Sequence, residues 1–191
     1  MLAKIFITVL QFVTMFYLTV VLLRFLLQLA RADFYNPISQ FVVKATNAPL
    51  RPLRRIVPGI GGVDGASLVL AVLVSALFFT LLWVASGYPI TQLNPVALIA
   101  WSGVYVLGLI IDIYFWTVLA MVIISWVAPQ SDHPAIALVA QITEPVMRPV
   151  RNIVPPLGGL DLSPIFVFLI LQVLRVVVGH LGAAVGMPVP A

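Results

Sequence analysis

Four long apolar runs, none broken by proline, constrain this chain more than any other feature. They cover about residues 5–29, 66–86, 103–127 (within a longer stretch, 96–128) and 165–185. A helix rises 1.5 Å per residue, so about 20 apolar residues cross a hydrocarbon core about 30 Å thick. All fifteen prolines fall outside the four interiors, as uninterrupted helices require, because proline lacks the backbone donor and clashes with the preceding turn. Only 8% of the 191 residues are charged and 62% are hydrophobic, against about 25% charged in soluble domains. This excludes an ordinary water-soluble domain, a disordered chain and a nucleic-acid reader. With no cysteine, disulfide scaffolds, Cys-ligated zinc, iron–sulfur clusters and thiol catalysis are excluded too. The expected fold class is an all-α membrane protein with four transmembrane helices.

The third run is longer than one crossing needs. It either tilts as a single helix or begins as an interfacial helix over about 96–101 before turning inward. Trp83 and Tyr88 close the second span and Trp101 and Tyr105 open the third, which predicts one aromatic belt, with Trp126 in the opposite belt. Lys4 before the first run and Ala30-Arg31-Ala32 after it imitate a secretory leader. The run far exceeds the roughly 7–15 apolar residues of such a leader, so it is read as a retained span.

Between spans one and two, and again between three and four, lie Arg31, Lys44, Arg51, Arg54, Arg55, Arg148 and Arg151. The opposite side holds only Lys4, since 87–95 and the C-terminal tail contain no Lys or Arg. The positive-inside rule therefore predicts both basic segments in the cytoplasm and both termini outside. The net charge of +4 fits attraction to an anionic leaflet.

The two basic segments align at a constant offset of 97 residues. Thr46, Arg51, Pro52, Arg54, Ile56, Val57, Pro58, Gly61, Gly62 and Asp64 recur as Thr143, Arg148, Pro149, Arg151, Ile153, Val154, Pro155, Gly158, Gly159 and Asp161, and Pro37 recurs as Pro134. Ten identities in nineteen positions mark a duplication: a first repeat over 1–86, a short outer loop over 87–95, and a second repeat over 96–191. Each unit has two crossings, so the copies run parallel rather than inverted. Within each unit a short helix is predicted, opened by Asn36-Pro37 or His133-Pro134 as N-cap and N1. Ile38, Phe41, Val42 and Ala45 fall at helical spacing, as do Ala135, Leu138, Val139 and Ile142. The first helix reads as amphipathic and interfacial, the second as apolar nearly all round and buried or deeply immersed. A Pro/Arg-rich loop, with proline stopping the helix, and a glycine return are expected next. Ser163-Pro164 reads as N-cap and N1 of the fourth span.

This pattern resembles the YggT family (also called YlmG) of bacterial and plastid membrane proteins, and the resemblance covers essentially the whole chain in two copies. It rests on Asn36-Pro37, Thr46, the Arg-Pro-x-Arg run and Asp64, with their second-copy counterparts. The second copy keeps Thr143-Glu144-Pro145 and Asp161-Leu162-Ser163-Pro164. The first has Thr46-Asn47-Ala48-Pro49 and no Ser-Pro after Asp64, so strictly equivalent roles for the two loops are not expected. The resemblance implies a multi-pass protein of the bacterial inner membrane. Family members are associated with assembly of membrane protein complexes, with division or nucleoid organisation, and with osmotic stress and ion uptake.

Arg51, Arg54, Arg55, Arg148 and Arg151 are candidates for binding anionic lipid headgroups, a partner's acidic surface or a phosphate. The plainer reading makes them topological anchors pinned to a loop aspartate or to helix C-terminal carbonyls. Asn36, Pro37, Thr46, Pro52, Pro58, Asp64, Pro134, Thr143, Pro149, Pro155 and Asp161 are read as structural members of the repeat. Gly59-Ile60-Gly61-Gly62 is neither a P-loop nor a dinucleotide fingerprint. His133 and His180 lie at different depths and cannot share a metal. No nucleophile–base constellation is recognisable, so no catalytic, cofactor or metal residue is assigned. Asp112 and Arg175 sit mid-span at matching depth and form a candidate intramembrane pair; Arg24, nearer its span's end, is expected to snorkel toward headgroups.

Two functions follow as expectations. The first is a non-enzymatic accessory or assembly protein in contact with lipid and with other membrane proteins or copies of itself. The second is a small oligomeric ion transporter or channel of the osmotic-stress response; four spans are too few to enclose a roomy pathway alone, so this reading needs an oligomer or a pore along the Asp112–Arg175 seam.

Overall fold

Each apolar run folds as one helix in the computed structural model, which describes residues 2–57, 59, 62–128, 132–154 and 161–188. In chain order the helices are α1 (Leu2–Leu29), α2 (Pro37–Ile56), α3 (Gly65–Ala85), α4 (Pro95–Val127), α5 (Pro134–Arg151) and α6 (Ser163–Ala184), with a 3-10 turn at Ile90–Gln92. Four of them, α1, α3, α4 and α6, are long and apolar enough to cross a membrane. α4 is continuous over 33 residues, about 50 Å at 1.5 Å per residue, and so exceeds a hydrocarbon core without any break into an interfacial piece.

The two halves pack alike. α1 lies against α3 as α4 lies against α6, and α2 fills the end of the first pair as α5 fills the end of the second. α3 against α4 joins the halves. The main core gathers Leu18, Leu22, Leu26, Ala71, Val118 and Leu171. A second cluster closes the end opposite the arginines. There Trp83 lies 4.7 Å from Tyr88 and 6.0 Å from Trp101, centroid to centroid. The four aromatics thus share one end, but Trp101 is buried and its Nε1 donates to the Val185 carbonyl at 2.8 Å. It packs between helices rather than facing outward, because α6 ends beside it; Trp126, at the other end, is exposed.

Three local expectations are corrected. The Pro/Arg-rich stretch is not a loop: α2 runs through Pro49 and Pro52, and α5 through Pro145 and Pro149. Proline removes the bond to the carbonyl four residues back. In α2 those carbonyls belong to Ala45 and Ala48, which are exposed, so water or headgroups can satisfy them. Second, α5 is amphipathic rather than apolar all round, burying one face through Leu138, Ile142, Thr143 and Met147. Third, Ser163 lies inside α6, and the Asp161 carboxylate takes its backbone N–H at 2.9 Å. Asp161 thereby satisfies a first-turn donor, the work expected of Ser163.

Asn36 and His133 do cap their helices, accepting from the backbone N–H of Ile38 and Ala135. Asn36 also donates to the Pro134 carbonyl at 2.8 Å, tying the start of α2 to the start of α5. The buried face of α2 is Ser39, Val42, Thr46 and Leu50, leaving Ile38 and Phe41 outward. Gly62 has φ +86°, a left-handed backbone that glycine adopts without strain. Pro58, Gly61, Pro155, Gly158 and Gly159 lie outside the described residues.

Candidate functional site

At the Arg-rich end of the first repeat, α1, α2 and α3 meet around Arg24. The residue is only 6% exposed, so it does not snorkel. Its Nη1 donates to the Val43 carbonyl (3.1 Å), Thr46 Oγ1 (2.7 Å) and Asn47 Oδ1 (2.9 Å). Thr46 in turn donates to the Val42 carbonyl. A buried arginine is tolerable when its donors find acceptors and a counterion is near. The counterion is Asp64, at the start of α3 and 3% exposed, 4.0 Å from Arg24 Nε. Asp64 also accepts from Arg54 Nη2 at 2.6 Å and from Ser67 Oγ at 2.7 Å. Burial pushes its carboxyl up, but the hydrogen bonds from Arg54 and Ser67 outweigh this and hold it below the usual carboxylate range.

The second repeat places Arg151 against Asp161 at 3.0 Å and against Glu144 at 3.0 Å. Here the pairing is on the surface, with the Asp161 side chain 44% exposed. Burial again raises its carboxyl, and bonds from Ser163 and Arg151 overcome the effect and lower it. Position 121, which corresponds to Arg24 at the 97-residue offset, is Met121. The two ends therefore share Arg54/Arg151 with Asp64/Asp161, and differ in whether a second, buried cation joins them. Pro52, Pro149, Arg51, Arg55 and Arg148 are exposed; among the described residues these three arginines hold no ion pair. Pro37 and Pro134 open their helices, and Thr143, buried, donates to the Val139 carbonyl at 2.9 Å.

Halfway along the spans, Arg175 of α6 meets Asp112 of α4, Nη2 to Oδ1 at 2.5 Å and Nε to Oδ1 at 2.8 Å. The guanidinium also lies 4.4 Å from the centroid of the Phe115 ring, a cation–π contact. The pair is not buried: its side chains are 40% and 32% exposed on the flank of α4 and α6. The corresponding first-repeat positions are Met15 and Phe78, so the mid-span pair belongs to the second repeat alone, as the buried Arg24 belongs to the first. His180, exposed, has Nδ1 2.8 Å from the Val176 carbonyl.

Reasoning from the sequence missed Arg24 as the centre of the first cluster. The available signal was its position, one turn short of the end of α1, at the same end as the polar repeat residues Thr46 and Asp64.

The family model CCB3/YggT matches the chain twice, over residues 3–85 and 100–182. Those matches start 97 residues apart, the offset of the repeat. The chain is 49% identical over 181 residues to the uncharacterized protein PA0392 of Pseudomonas aeruginosa, covering 94% of this chain and 91% of that one. It is 41% identical to an uncharacterized protein encoded in the proC 3' region of Vibrio alginolyticus, covering 86% and 88%. Against the uncharacterized protein YggT of Escherichia coli it is 38% identical, covering 89% and 87%. No solved structure matches the chain. Two tandem family matches, near-full-length relatives and four apolar helices lead to one conclusion: the chain belongs to the CCB3/YggT family.

Proposed function

We propose that the protein is a non-enzymatic accessory or assembly component of the bacterial inner membrane, with the Arg-rich end cytoplasmic, both termini outside, and a docking face on α4 and α6. The observation that carries this reading is the partial exposure of the Asp112–Arg175 pair at mid-span, between α4 and α6, the least covered of the four long helices being α6, which carries Arg175. A lone charge at the bilayer centre costs about 3 kcal/mol on insertion scales, and mutual pairing relieves only part of it. A neighbouring helix laid over the pair removes it from lipid. Exposed Gln172, one turn before Arg175, offers a further interhelical hydrogen bond. The basic stripe of α2 and α5 holds the other end against anionic headgroups.

Transport through the same seam is the competing reading. A pair that neutralises itself on the rim of the bundle supports docking over conduction. The test is a photo-crosslinking residue at Gln172, compared with one at Leu73 on the exposed flank of α3, in native membranes. The docking reading expects a discrete adduct with another membrane protein from Gln172 and none from Leu73, abolished when Asp112 and Arg175 are both changed to leucine. Ion flux by the purified protein in liposomes, lost in that double variant, overturns it in favour of transport.

A further inference from the structure

We infer that the first repeat, and not the second, holds a binding pocket for a phosphate group at its Arg-rich end, and that a phospholipid headgroup is one natural source of it. A cavity of about 460 Å³ opens there, lined by Arg24, Gln28, Arg31, Ser39 and Arg54 over an apolar floor that includes Val43. Three arginines line it, and among the described residues the one carboxylate paired with any of them is Asp64, which is shared by Arg24 and Arg54. Arg31 makes no ion pair or side-chain hydrogen bond among the described residues. Among the described residues two buried serine hydroxyls, Ser39 and Ser163, have no hydrogen-bond partner, and Ser39, 4% exposed in the first turn of α2, lines this cavity. A buried hydroxyl without a partner is costly and calls for an explanation; here it faces a cationic cavity at the positive end of a helix dipole.

The backbone at Arg31 points the same way. α1 ends with the Arg31 N–H on the Gln28 carbonyl (3.1 Å) and the Ala32 N–H on the Leu27 carbonyl (2.9 Å), with Arg31 at φ +51°. This is the Schellman arrangement, whose left-handed position glycine usually fills. An arginine there accepts backbone strain and contributes its charge to the cavity.

The second repeat supplies an internal comparison. Its cavity, about 370 Å³, uses Met121, Ser125 and Arg151, the counterparts of Arg24, Gln28 and Arg54 at the same offset. Arg31 and Ser39 correspond to Ala128 and Ile136. Among the described residues that line it the one arginine is Arg151, which pairs with Asp161 and with Glu144. Equivalent positions of the two repeats thus line a cavity with cationic character in one copy and without it in the other. The inference rests on the membrane reading above only in placing this end at headgroup depth, and its test, made in detergent, does not depend on the docking face.

The experiment measures the melting temperature of the full-length protein in mild detergent with phosphatidylglycerol, phosphatidylcholine or inorganic phosphate added. Phosphatidylglycerol is expected to raise the wild-type melting temperature and phosphatidylcholine to do so less. Arg31→Gln should weaken the phosphatidylglycerol response about tenfold in concentration, the loss of one charge-assisted contact. Arg31→Gly, which suits the left-handed backbone, should weaken it equally while melting no lower without lipid. Ser39→Ala should melt at the same or a higher temperature without lipid and respond less to it. Arg151→Gln should respond as wild type does. A response to inorganic phosphate matching that to phosphatidylglycerol, and lost in the Arg31 variants, supports the pocket and identifies free phosphate as a sufficient ligand. Wild-type responses retained in the Arg31 and Ser39 variants, or an equal loss in Arg151→Gln, overturn the pocket.

Discussion

Asp64→Asn and Asp161→Asn make the same chemical change at equivalent positions, and the structure predicts different costs. Removing the Asp64 charge strands Arg24, which is 6% exposed and has neutral acceptors for Nη1 but no other carboxylate within ion-pair distance among the described residues. It also weakens the contacts to Arg54 and Ser67. Breaking one side of a buried pair costs about 3–5 kcal/mol, a large part of the roughly 5–15 kcal/mol that holds a typical protein folded. For a chain of this size about 1 kcal/mol moves the melting temperature by about 2–4 °C, so Asp64→Asn should lower it by about 10 °C. Asp161 is 44% exposed, and Arg151 keeps Glu144 after the change. Solvent screening leaves about 0–1 kcal/mol there, a shift of about 2 °C or less. The pH dependence follows from the depressed carboxyl of Asp64. Its contribution is present above the unfolded carboxylate pKa, about 3.9, and is lost as pH falls through the lower folded value. The gap between wild type and Asp64→Asn should therefore be full at neutral pH and close on strong acidification. Thermal unfolding in detergent, followed by helical circular dichroism, measures both. Equal shifts for the two variants, or a gap that widens in acid, would refute the reasoning.

Asp112→Asn and Arg175→Leu should each lower folded yield in detergent by an amount on the order of 3 kcal/mol in stability, and the double variant should recover part of it; strictly additive losses would show that the two do not interact. Single cysteines at Thr91 and Lys44 should differ in reactivity toward an impermeant maleimide on cells with a permeable outer membrane, with Thr91→Cys labelled and Lys44→Cys protected; the reverse pattern inverts the topology. Because α2 continues through exposed Pro52, Pro52→Ala should supply the missing bond to the Ala48 carbonyl and raise stability, by up to about 3 kcal/mol on helix-propensity scales; a clear loss, read by thermal unfolding, would mean that this turn is not helical in the membrane.

Length and polarity made the four spans legible in the sequence, because a hydrocarbon core leaves few ways to satisfy a backbone and a 20-residue apolar run states its own length. The 97-residue offset likewise made the duplication legible before any contact was known, and counting along spans three and four brought Asp112 and Arg175 to one depth. What counting does not supply is rotation about each helix axis. Tertiary packing turned Arg24 inward to Thr46 and Asp64 instead of outward to headgroups, buried Trp101 beneath the end of α6, and left Asp112 and Arg175 at the rim rather than the centre. It also let α2 and α5 run through their prolines, since a helix held on one face by Val42, Thr46 and Leu50 tolerates an orphaned carbonyl on the other. Periodicity determines which residues share a stripe, and only the neighbouring helices decide which stripe is covered. The difference between a buried hub in one repeat and a surface pair in the other was decided there.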